Sequence, residues 1–173
     1  GDVVVETSGD VLVAGIESSA DVALTSTSGS ILDNEATRVN IDASTVRFDA
    51  NGDFGASDNA LDTQVTTVSG RTTDGSVYLQ DSEGGLSIGS TAASSNVVGA
   101  DSEVTLTPVS PLSGIVTGGA NGTVVVTLTI GDLTVLAGHV VTAAGAGNVL
   151  LETPGQLDIQ AAVSSTSGSI SLV

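Results

Sequence analysis

Hydrophobic and polar residues alternate in this chain over short stretches that recur along its length. The opening contains two such stretches, Val3–Val5 and Val11–Val13, separated by the polar turn sequence Glu6–Gly9. A period of two is typical of short β-strands with one buried face. The first thirteen residues therefore predict a strand, a turn and a second strand.

Similar segments follow further along the chain. Asp21–Ile31 has the same order of strand and turn residues, and its hexapeptide Ser26–Ile31 returns letter for letter as Ser165–Ile170. Gly75–Ile88 aligns with the opening with one extra turn residue, and Gly147–Ile159 aligns without a gap. Such self-similarity predicts a repeat architecture, in which each segment buries its apolar side by stacking on the next.

The spacing of the repeats predicts the fold. Thr7-Ser8-Gly9 returns as Thr27-Ser28-Gly29, and about 20 residues is the length of one coil of a β-solenoid. We predict a single all-β domain over residues 1–173, a parallel β-helix of eight or nine coils about 4.8 Å apart. The region near 91–146 is expected to be irregular or inserted, because Pro108 and Pro111 each remove a backbone donor from the ladder.

Composition agrees with an all-β chain and restricts its partners. The three aromatic residues and the absence of Trp, Met and Cys leave Val, Ile, Leu and Ala to fill the core, and 22 glycines supply turns. The net charge of −17, with three arginines and no lysine, provides no basic surface for nucleic acid. No apolar run approaches the roughly 20 residues of a membrane span, so membrane insertion is not expected.

One acidic, glycine-rich stretch offers a candidate metal site. Asp49, Asn51 and Asp53 have the alternate spacing of oxygen ligands in a calcium loop. Phe54, however, stands where that loop needs glycine, and Ala60 stands where it needs glutamate. The alternative is a solvated corner loop over 49–62 whose Asp and Asn side chains bond their own backbone, and we favour that interpretation.

The chain shows little sign of catalytic chemistry. His139 is the single histidine, with no second His or Cys for zinc and no obvious partner for a catalytic dyad. Asp2, Asp10, Asp21 and Asp132 each follow Gly or Ala before a strand, which marks them as turn formers. We expect neither an enzyme nor a cofactor.

A family resemblance extends over about residues 20–90. The runs Gly55–Thr63, Val65–Val68, Gly75–Asp81 and Gly85–Gly89 resemble the repeats of large secreted bacterial proteins related to filamentous haemagglutinin. The resemblance implies a right-handed parallel β-helix, exported to the cell surface, with an adhesin or fibre role.

These observations lead to one functional expectation and one alternative. The expectation is a stiff extracellular rod or self-associating filament subunit, because Gly168–Val173 running on into Gly1–Val5 is itself a plausible strand, turn and strand. Stacking would then continue end to end between copies or into further repeats. The alternative is an adhesin segment that binds surface glycans or a receptor.

Overall fold

The chain folds into strands and turns. The computed structural model describes residues 1–35, 38–98 and 103–173, without the side chains of 96–98 and 104. Within these ranges it has no helix, and so none long and apolar enough to cross a membrane. The strands in chain order are β1 (Val3–Thr7), β2 (Val11–Val13), β3 (Ile16–Glu17), β4 (Asp21–Ser26), β5 (Ile31–Asp33), β6 (Ile41–Asp42), β7 (Thr45–Ala50), β8 (Leu61–Gln64), β9 (Thr67–Thr72), β10 (Val77–Asp81), β11 (Gly84–Ile88), β12 (Ser90–Val98), β13 (Val104–Ser113), β14 (Ile115–Thr117), β15 (Val124–Leu128), β16 (Gly131–Val135), β17 (Val141–Ala143), β18 (Val149–Glu152), β19 (Leu157–Ile159), β20 (Val163–Ser165) and β21 (Ile170–Leu172).

The strands form two large parallel sheets. Sheet A has ten strands, in which β1, β4, β7, β9, β11, β16 and β19 follow one another and β14, β17 and β20 extend it. Sheet B has seven strands in the order β21, β18, β15, β10, β8, β6 and β3. The chain passes from sheet A to sheet B and back, so each sheet is built from successive segments. The all-β, parallel arrangement is compatible with the predicted β-solenoid.

We call each passage of the chain through sheet A and sheet B a coil. The number of residues between two paired positions in successive strands gives the length of one coil. The step that pairs Leu61 with Leu79 is among the shortest, and the step that pairs Val124 with Val149 is several residues longer. One step is about twice the usual length, since Val77 pairs with Val124. Sheet B contains seven strands, so the described part of the chain forms seven coils, fewer than the eight or nine predicted. The long step accounts for the difference.

The long step contains an antiparallel hairpin. Strands β12 and β13 pair with each other between Ser90 and Ser113, with a bulge beside Pro111, which has no N–H to donate. The irregular region predicted near 91–146 is thus centred on this hairpin, while β14 to β17 rejoin the stacked strands. Residues 99–102 lie outside the described residues.

Aliphatic side chains stacked in register form the core. Val22, Val46 and Val68 lie one above another in β4, β7 and β9, all fully buried. Phe48 and Phe54 are fully buried as well, and their rings stack with centroids 3.9 Å apart. The prediction of a solvated loop over 49–62 is therefore wrong at both ends, because Asp49 lies within β7, Phe54 packs into the core, and the fully buried Leu61 begins β8.

Two sequence alignments with the opening, those of Gly75–Ile88 and Gly147–Ile159, assigned segments to the wrong side of the coil. Val3 belongs to sheet A, whereas Val149, aligned with it by sequence, belongs to sheet B. The segments of Val3 and Val149 both begin with Gly followed by Asp or Asn before a valine, so the local pattern is the same at two different corners. The structural equivalent of Gly147–Val149 is Gly9–Val11, which opens β2; β2 pairs in parallel with β5, and single bridges from Ile31 through Phe54 to Val77 continue this pairing into sheet B.

Candidate functional site

A short motif occurs once in each of the seven coils, at the corner that leads from sheet A towards sheet B. It consists of a glycine, a residue with a side-chain oxygen, and an apolar residue that is buried in the first six copies and exposed in the seventh. The seven copies are Gly9-Asp10-Val11, Gly29-Ser30-Ile31, Gly52-Asp53-Phe54, Gly75-Ser76-Val77, Gly122-Thr123-Val124, Gly147-Asn148-Val149 and Gly168-Ser169-Ile170. We call the column of middle residues the corner ladder.

The corner ladder is held together by one hydrogen bond per step, always of the same kind. The side-chain oxygen of each middle residue accepts a hydrogen bond from the backbone N–H of the middle residue in the next coil. The donor and acceptor pairs are Ser30 N to Asp10 Oδ1 (2.8 Å), Asp53 N to Ser30 Oγ (3.0 Å), Ser76 N to Asp53 Oδ1 (2.7 Å), Thr123 N to Ser76 Oγ (3.1 Å), Asn148 N to Thr123 Oγ1 (3.2 Å) and Ser169 N to Asn148 Oδ1 (2.8 Å). The ladder has a direction, because each side-chain oxygen accepts its hydrogen bond from an N–H of the coil that follows it in sequence.

The glycine of the motif is required by the close approach of adjacent coils. A Cβ on Gly147 would overlap the carbonyl of Gly122, and a Cβ on Gly75 would overlap the backbone of Gly52. Neither glycine has a positive φ, so it is the space between coils and not the backbone conformation that excludes a side chain.

A second column of hydroxyl groups closes the same corner from the sheet A side. Ser26 Oγ donates to the carbonyl of Gly9 (2.7 Å) and accepts from Gly29 N–H (3.0 Å). Ser165 makes the same two contacts, with Gly147 (2.6 Å) and Gly168 (2.8 Å). The repeated hexapeptide therefore encodes one corner geometry twice.

All four of the predicted turn-forming aspartates bond across coils, and Asp21 does so through Oδ1, which accepts from Thr45 Oγ1 at 2.9 Å. Asp10 accepts from Ser30 N–H, and Asp132 Oδ1 accepts from Gln156 N–H at 2.7 Å. Asp2 Oδ1 accepts from Asp21 N–H at 3.4 Å, and its other oxygen accepts from Ser94 N–H at 2.8 Å. The hydrogen bond from Ser94 holds the pKa of Asp2 below its ordinary value.

The hairpin lies across the outward face of sheet A and covers it. Ala23, Arg47 and Ser69 occupy adjacent register positions pointing outward, yet they are 0%, 5% and 0% exposed. Thr91 of the hairpin hydrogen bonds to Ser69, and Arg47 Nε donates to the carbonyl of Ser110 at 2.8 Å. Together with the bond from Ser94 to Asp2, these contacts hold the hairpin across the first four coils.

A polar groove opens beside the hairpin, and it contains two of the three arginines of the chain. Arg71 Nε and Nη2 each donate to Asp49 at 2.9 Å, and Arg47 Nη2 lies 3.4 Å from Asp49 Oδ2. Hydrogen bonds and charge from Asp49 raise the pKa of Arg71, whereas burial lowers the pKa of Arg47. The groove has a volume of about 490 Å³ and is also lined by Glu6 and Thr25.

The three predicted calcium ligands lie near this groove in different roles. Asp49 has both oxygens engaged by arginine, and Asp53 Oδ1 accepts from Ser76 N–H. Asn51 lines the adjoining part of the groove with Thr27. Among the described residues, no three His, Cys, Asp or Glu side chains group as a metal site. Calcium at Asp49, Asn51 and Asp53 stays a prediction.

The single histidine has a partner that the sequence did not indicate. His139 Nδ1 lies 2.7 Å from Ser113 Oγ, at the base of the hairpin where the chain rejoins the stack. A Ser–His–carboxylate triad also needs an acid on the other ring nitrogen. No hydrogen bond from His139 to a carboxylate occurs in the described ranges. Ser113 and His139 therefore form a serine–histidine pair without the acid of a triad.

One carboxylate is buried inside the coils. Asp81 is 0% exposed, and its oxygens accept from Thr63 Oγ1 at 2.8 Å, Val65 N–H at 3.1 Å and Glu83 N–H at 3.0 Å. Burial raises the pKa of Asp81 despite these hydrogen bonds. Its contacts are all within the fold, so it stabilises a bend rather than facing a ligand.

Comparison with known proteins adds no relative. No protein-family model, curated protein or solved structure matches the chain. The motif of the corner ladder can be found in the sequence. A search for Gly, followed by Asp, Asn, Ser or Thr, followed by an apolar residue, finds all seven copies. Such a search also finds Gly1-Asp2-Val3 and Gly131-Asp132-Leu133 on the opposite side of the coil, and the register alone separates the two corners.

Proposed function

We propose that this chain is a structural module of the cell exterior: a right-handed β-solenoid rod, with about 20 residues in each coil, that performs no catalysis. It acts by its length and stiffness, as a spacer or as a filament subunit. Seven coils at the spacing of hydrogen-bonded strands give each chain a length of about 30 Å.

The observation that carries the proposal is the unbroken corner ladder. At each of the six steps, including the step that contains the hairpin, a side-chain oxygen at the middle position of the motif accepts from the backbone N–H at the same position of the next coil. A binding protein or an enzyme needs a fixed geometry at one place only. The same junction at each step is what a load-bearing rod requires, because such a rod is as strong as its weakest junction.

The surface chemistry supports the same role. A net charge of −17 keeps a rod soluble and discourages sideways aggregation. Most edges of the coils are also short, since the terminal strands β2, β3, β19, β20 and β21 have two or three residues each and β1 has five.

Negative-stain imaging of native material tests the rod. We expect narrow, straight rods or filaments of uniform width. Compact particles with no preferred long axis in material that contains the full parent protein would contradict it.

A second candidate, binding of surface glycans, is favoured by the groove beside the hairpin. Thr25, Asn51 and Arg71 offer hydroxyl, amide and guanidinium groups to a polyhydroxylated ligand, and Arg71 is the exposed member of its ion pair, with 58% of its side chain accessible. Aromatic platforms are absent from this lining, which is why glycan binding ranks second.

A glycan array separates the two candidates. Selective binding by the wild type that is lost in Arg71→Ala, and kept in Arg38→Ala as a matched loss of charge elsewhere, would favour the adhesin. Failure to bind any glycan would leave the rod as the better proposal.

A further inference from the structure

The glycine of the corner motif donates its backbone N–H to an acceptor in five of its seven copies. The acceptors are Thr7 Oγ1 for Gly9, Ser26 Oγ for Gly29, the carbonyl of Gly29 for Gly52, the carbonyl of Ala144 for Gly147 and Ser165 Oγ for Gly168. The N–H groups of Gly75 and Gly122 have no acceptor among the described residues. A reaction at the nitrogen of either glycine therefore breaks no hydrogen bond of the fold.

The residues that precede these two glycines differ in their chemistry. Asp74 precedes Gly75, and Asn121 precedes Gly122. The backbone nitrogen of a glycine can attack the side-chain amide carbon of a preceding asparagine, because glycine has no Cβ to hinder the approach. A carboxylate in the same place repels a nucleophile. Asn121-Gly122 is thus the reactive pair of the two.

The chain has one other Asn-Gly pair, Asn51-Gly52, and the fold holds that pair on both sides. Gly52 N–H donates to the carbonyl of Gly29 at 2.8 Å, and Asn51 N–H donates to the carbonyl of Ser26 at 2.9 Å. The carbonyl of Asn51 accepts from Asp74 N–H at 2.8 Å. Attack by the nitrogen of Gly52 would therefore break bonds to the coil before and to the coil after.

The peptide group between Asn121 and Gly122 has no such bonds. In the described part of the chain neither the carbonyl nor the side chain of Asn121 takes part in a hydrogen bond, and this residue is exposed. Asn121 ends a turn that contains Gly118 and Gly119, and glycines restrict the backbone least. Gly122 is buried, so its unpaired N–H lacks the bond that burial ordinarily requires.

We propose that Asn121 is a site of spontaneous deamidation, with water as the co-reactant. The nitrogen of Gly122 forms a bond to Cγ of Asn121, the bond from Cγ to Nδ2 breaks, and ammonia leaves with the proton of the Gly122 amide. Water then opens the cyclic imide. Attack of water at Cγ gives aspartate, attack at the main-chain carbonyl carbon gives isoaspartate, and neither step oxidises or reduces any group.

The modification affects the step of the corner ladder that contains the hairpin. Thr123 N–H donates to Ser76 Oγ at 3.1 Å, and Thr123 Oγ1 accepts from Asn148 N–H at 3.2 Å. Isoaspartate adds one methylene group to the main chain two residues before Thr123, and either product makes the net charge of −17 more negative by one. The ladder therefore weakens at this step as the molecule ages. This inference goes beyond the proposed function and applies equally to a rod and to a glycan-binding protein.

The test follows both Asn-Gly pairs in one sample of the folded full chain, incubated at mildly alkaline pH. Peptide mapping by mass spectrometry, with fragmentation that separates isoaspartate from aspartate, gives the rate at each asparagine. Asn51 is the matched control within the same molecule. We expect Asn121 to react at least about tenfold faster, because the loss of two ordinary hydrogen bonds changes a rate by about that factor. In urea, where the fold is absent, the two rates should be similar.

Two variants test the effect on the ladder. Asn121→Gln keeps the amide but lengthens the side chain, so that closure of the larger ring is slow, and Asn121→Asp adds the charge without the extra methylene group. Hydrogen exchange at Thr123 and Asn148 should become faster in aged wild type than in fresh wild type. Exchange should stay unchanged in aged Asn121→Gln and in fresh Asn121→Asp. Urea unfolding checks that both variants fold like the wild type.

Three results would overturn the inference. An Asn121 that stays unmodified in the folded chain would overturn the site, and so would equal rates at Asn51 and Asn121 before unfolding. Unchanged exchange at Thr123 in molecules that contain isoaspartate would overturn the weakening of the ladder. The rod itself is tested separately, by negative-stain imaging of native material.

Discussion

The stacked coils and the hairpin β12–β13 use the same kinds of residue to make two different structures. In the coils, each strand pairs in parallel with a strand from the coil before, and the corner ladder adds a side-chain bond at every step. In the hairpin, the two strands pair antiparallel with each other, and a few side chains attach them to sheet A. Leu106 on the hairpin is 63% exposed, whereas the core of the coils is almost fully buried.

The difference shows what each region depends on. The coils depend on their neighbours, because a single coil has no core of its own. The hairpin supplies its own backbone pairing and covers a face that would otherwise be open to solvent. We therefore expect changes in the coils to destabilise the whole chain and changes in the hairpin to have local effects.

The largest contrast is expected for truncation of a buried ring. Phe54→Ala removes a fully buried side chain and its stacking on Phe48, and should lower the free energy of unfolding by about 3–5 kcal/mol. Leu106→Ala on the hairpin should change it by less than about 0.5 kcal/mol. Urea unfolding followed by circular dichroism measures both, and similar losses in the two variants would refute the contrast.

The next effect concerns the space between coils. Gly75→Ala places a methyl group against the backbone of Gly52 and should cost about 1–3 kcal/mol. Gly85→Ala is the matched control, because its nearest neighbour across the coils, the carbonyl of Asp132, is at an ordinary 3.7 Å. If the control lost as much stability as Gly75→Ala, close packing at the corner would not be the cause.

Removing the hairpin tests its independence directly. Ile88 pairs with Val68 and Ile115 pairs with Gly70, so a single serine in place of residues 89–114 would reproduce the one-residue spacing that Ser69 provides in β9. We expect this variant to fold and unfold cooperatively, with a loss on the order of 1 kcal/mol from uncovering sheet A. A variant without cooperative unfolding would mean that the hairpin is part of the folding unit.

Single ladder oxygens should have smaller effects. Thr123→Val keeps the shape of the side chain but removes the acceptor for Asn148 N–H, and should cost about 0.5–1.5 kcal/mol. Thr134→Val on the outward side of β16 is the control, since its hydroxyl has no hydrogen-bond partner among the described residues. An equal loss in the two variants would argue against the ladder.

The smallest effect is a pH dependence within the coils. Burial raises the pKa of Asp81 in the folded chain, so between its ordinary and its raised value the folded state binds more protons than the unfolded state. The free energy of unfolding should consequently fall as the pH rises through that interval. Urea midpoints of the wild type and Asp81→Asn over this range measure the effect, and the difference should move in favour of the wild type as the pH falls.

Sequence reasoning identified the all-β class and the corner aspartates because both depend on local rules. Alternating valines predict strands wherever they occur, and Gly followed by Asp or Ser predicts a turn before the partners are known. Sequence reasoning placed Phe54 in a solvated loop because it used local rules there too, and the acidic, glycine-rich residues around Phe54 are typical of a loop. Only its stacking on Phe48, from the strand that enters the same coil, moves it into the core.

The sequence by itself determined that this chain would stack repeated strands, because the spacing of its glycines, polar corner residues and valines repeats along the chain. Tertiary structure decided which corner each repeat occupies, where the hairpin lies, and that Arg47 meets both Asp49 and Ser110. These outcomes depend on coil lengths, which differ by several residues from one step of the stack to another. A shift of a few residues in one coil changes which side chains meet across the next, and no local pattern records that shift.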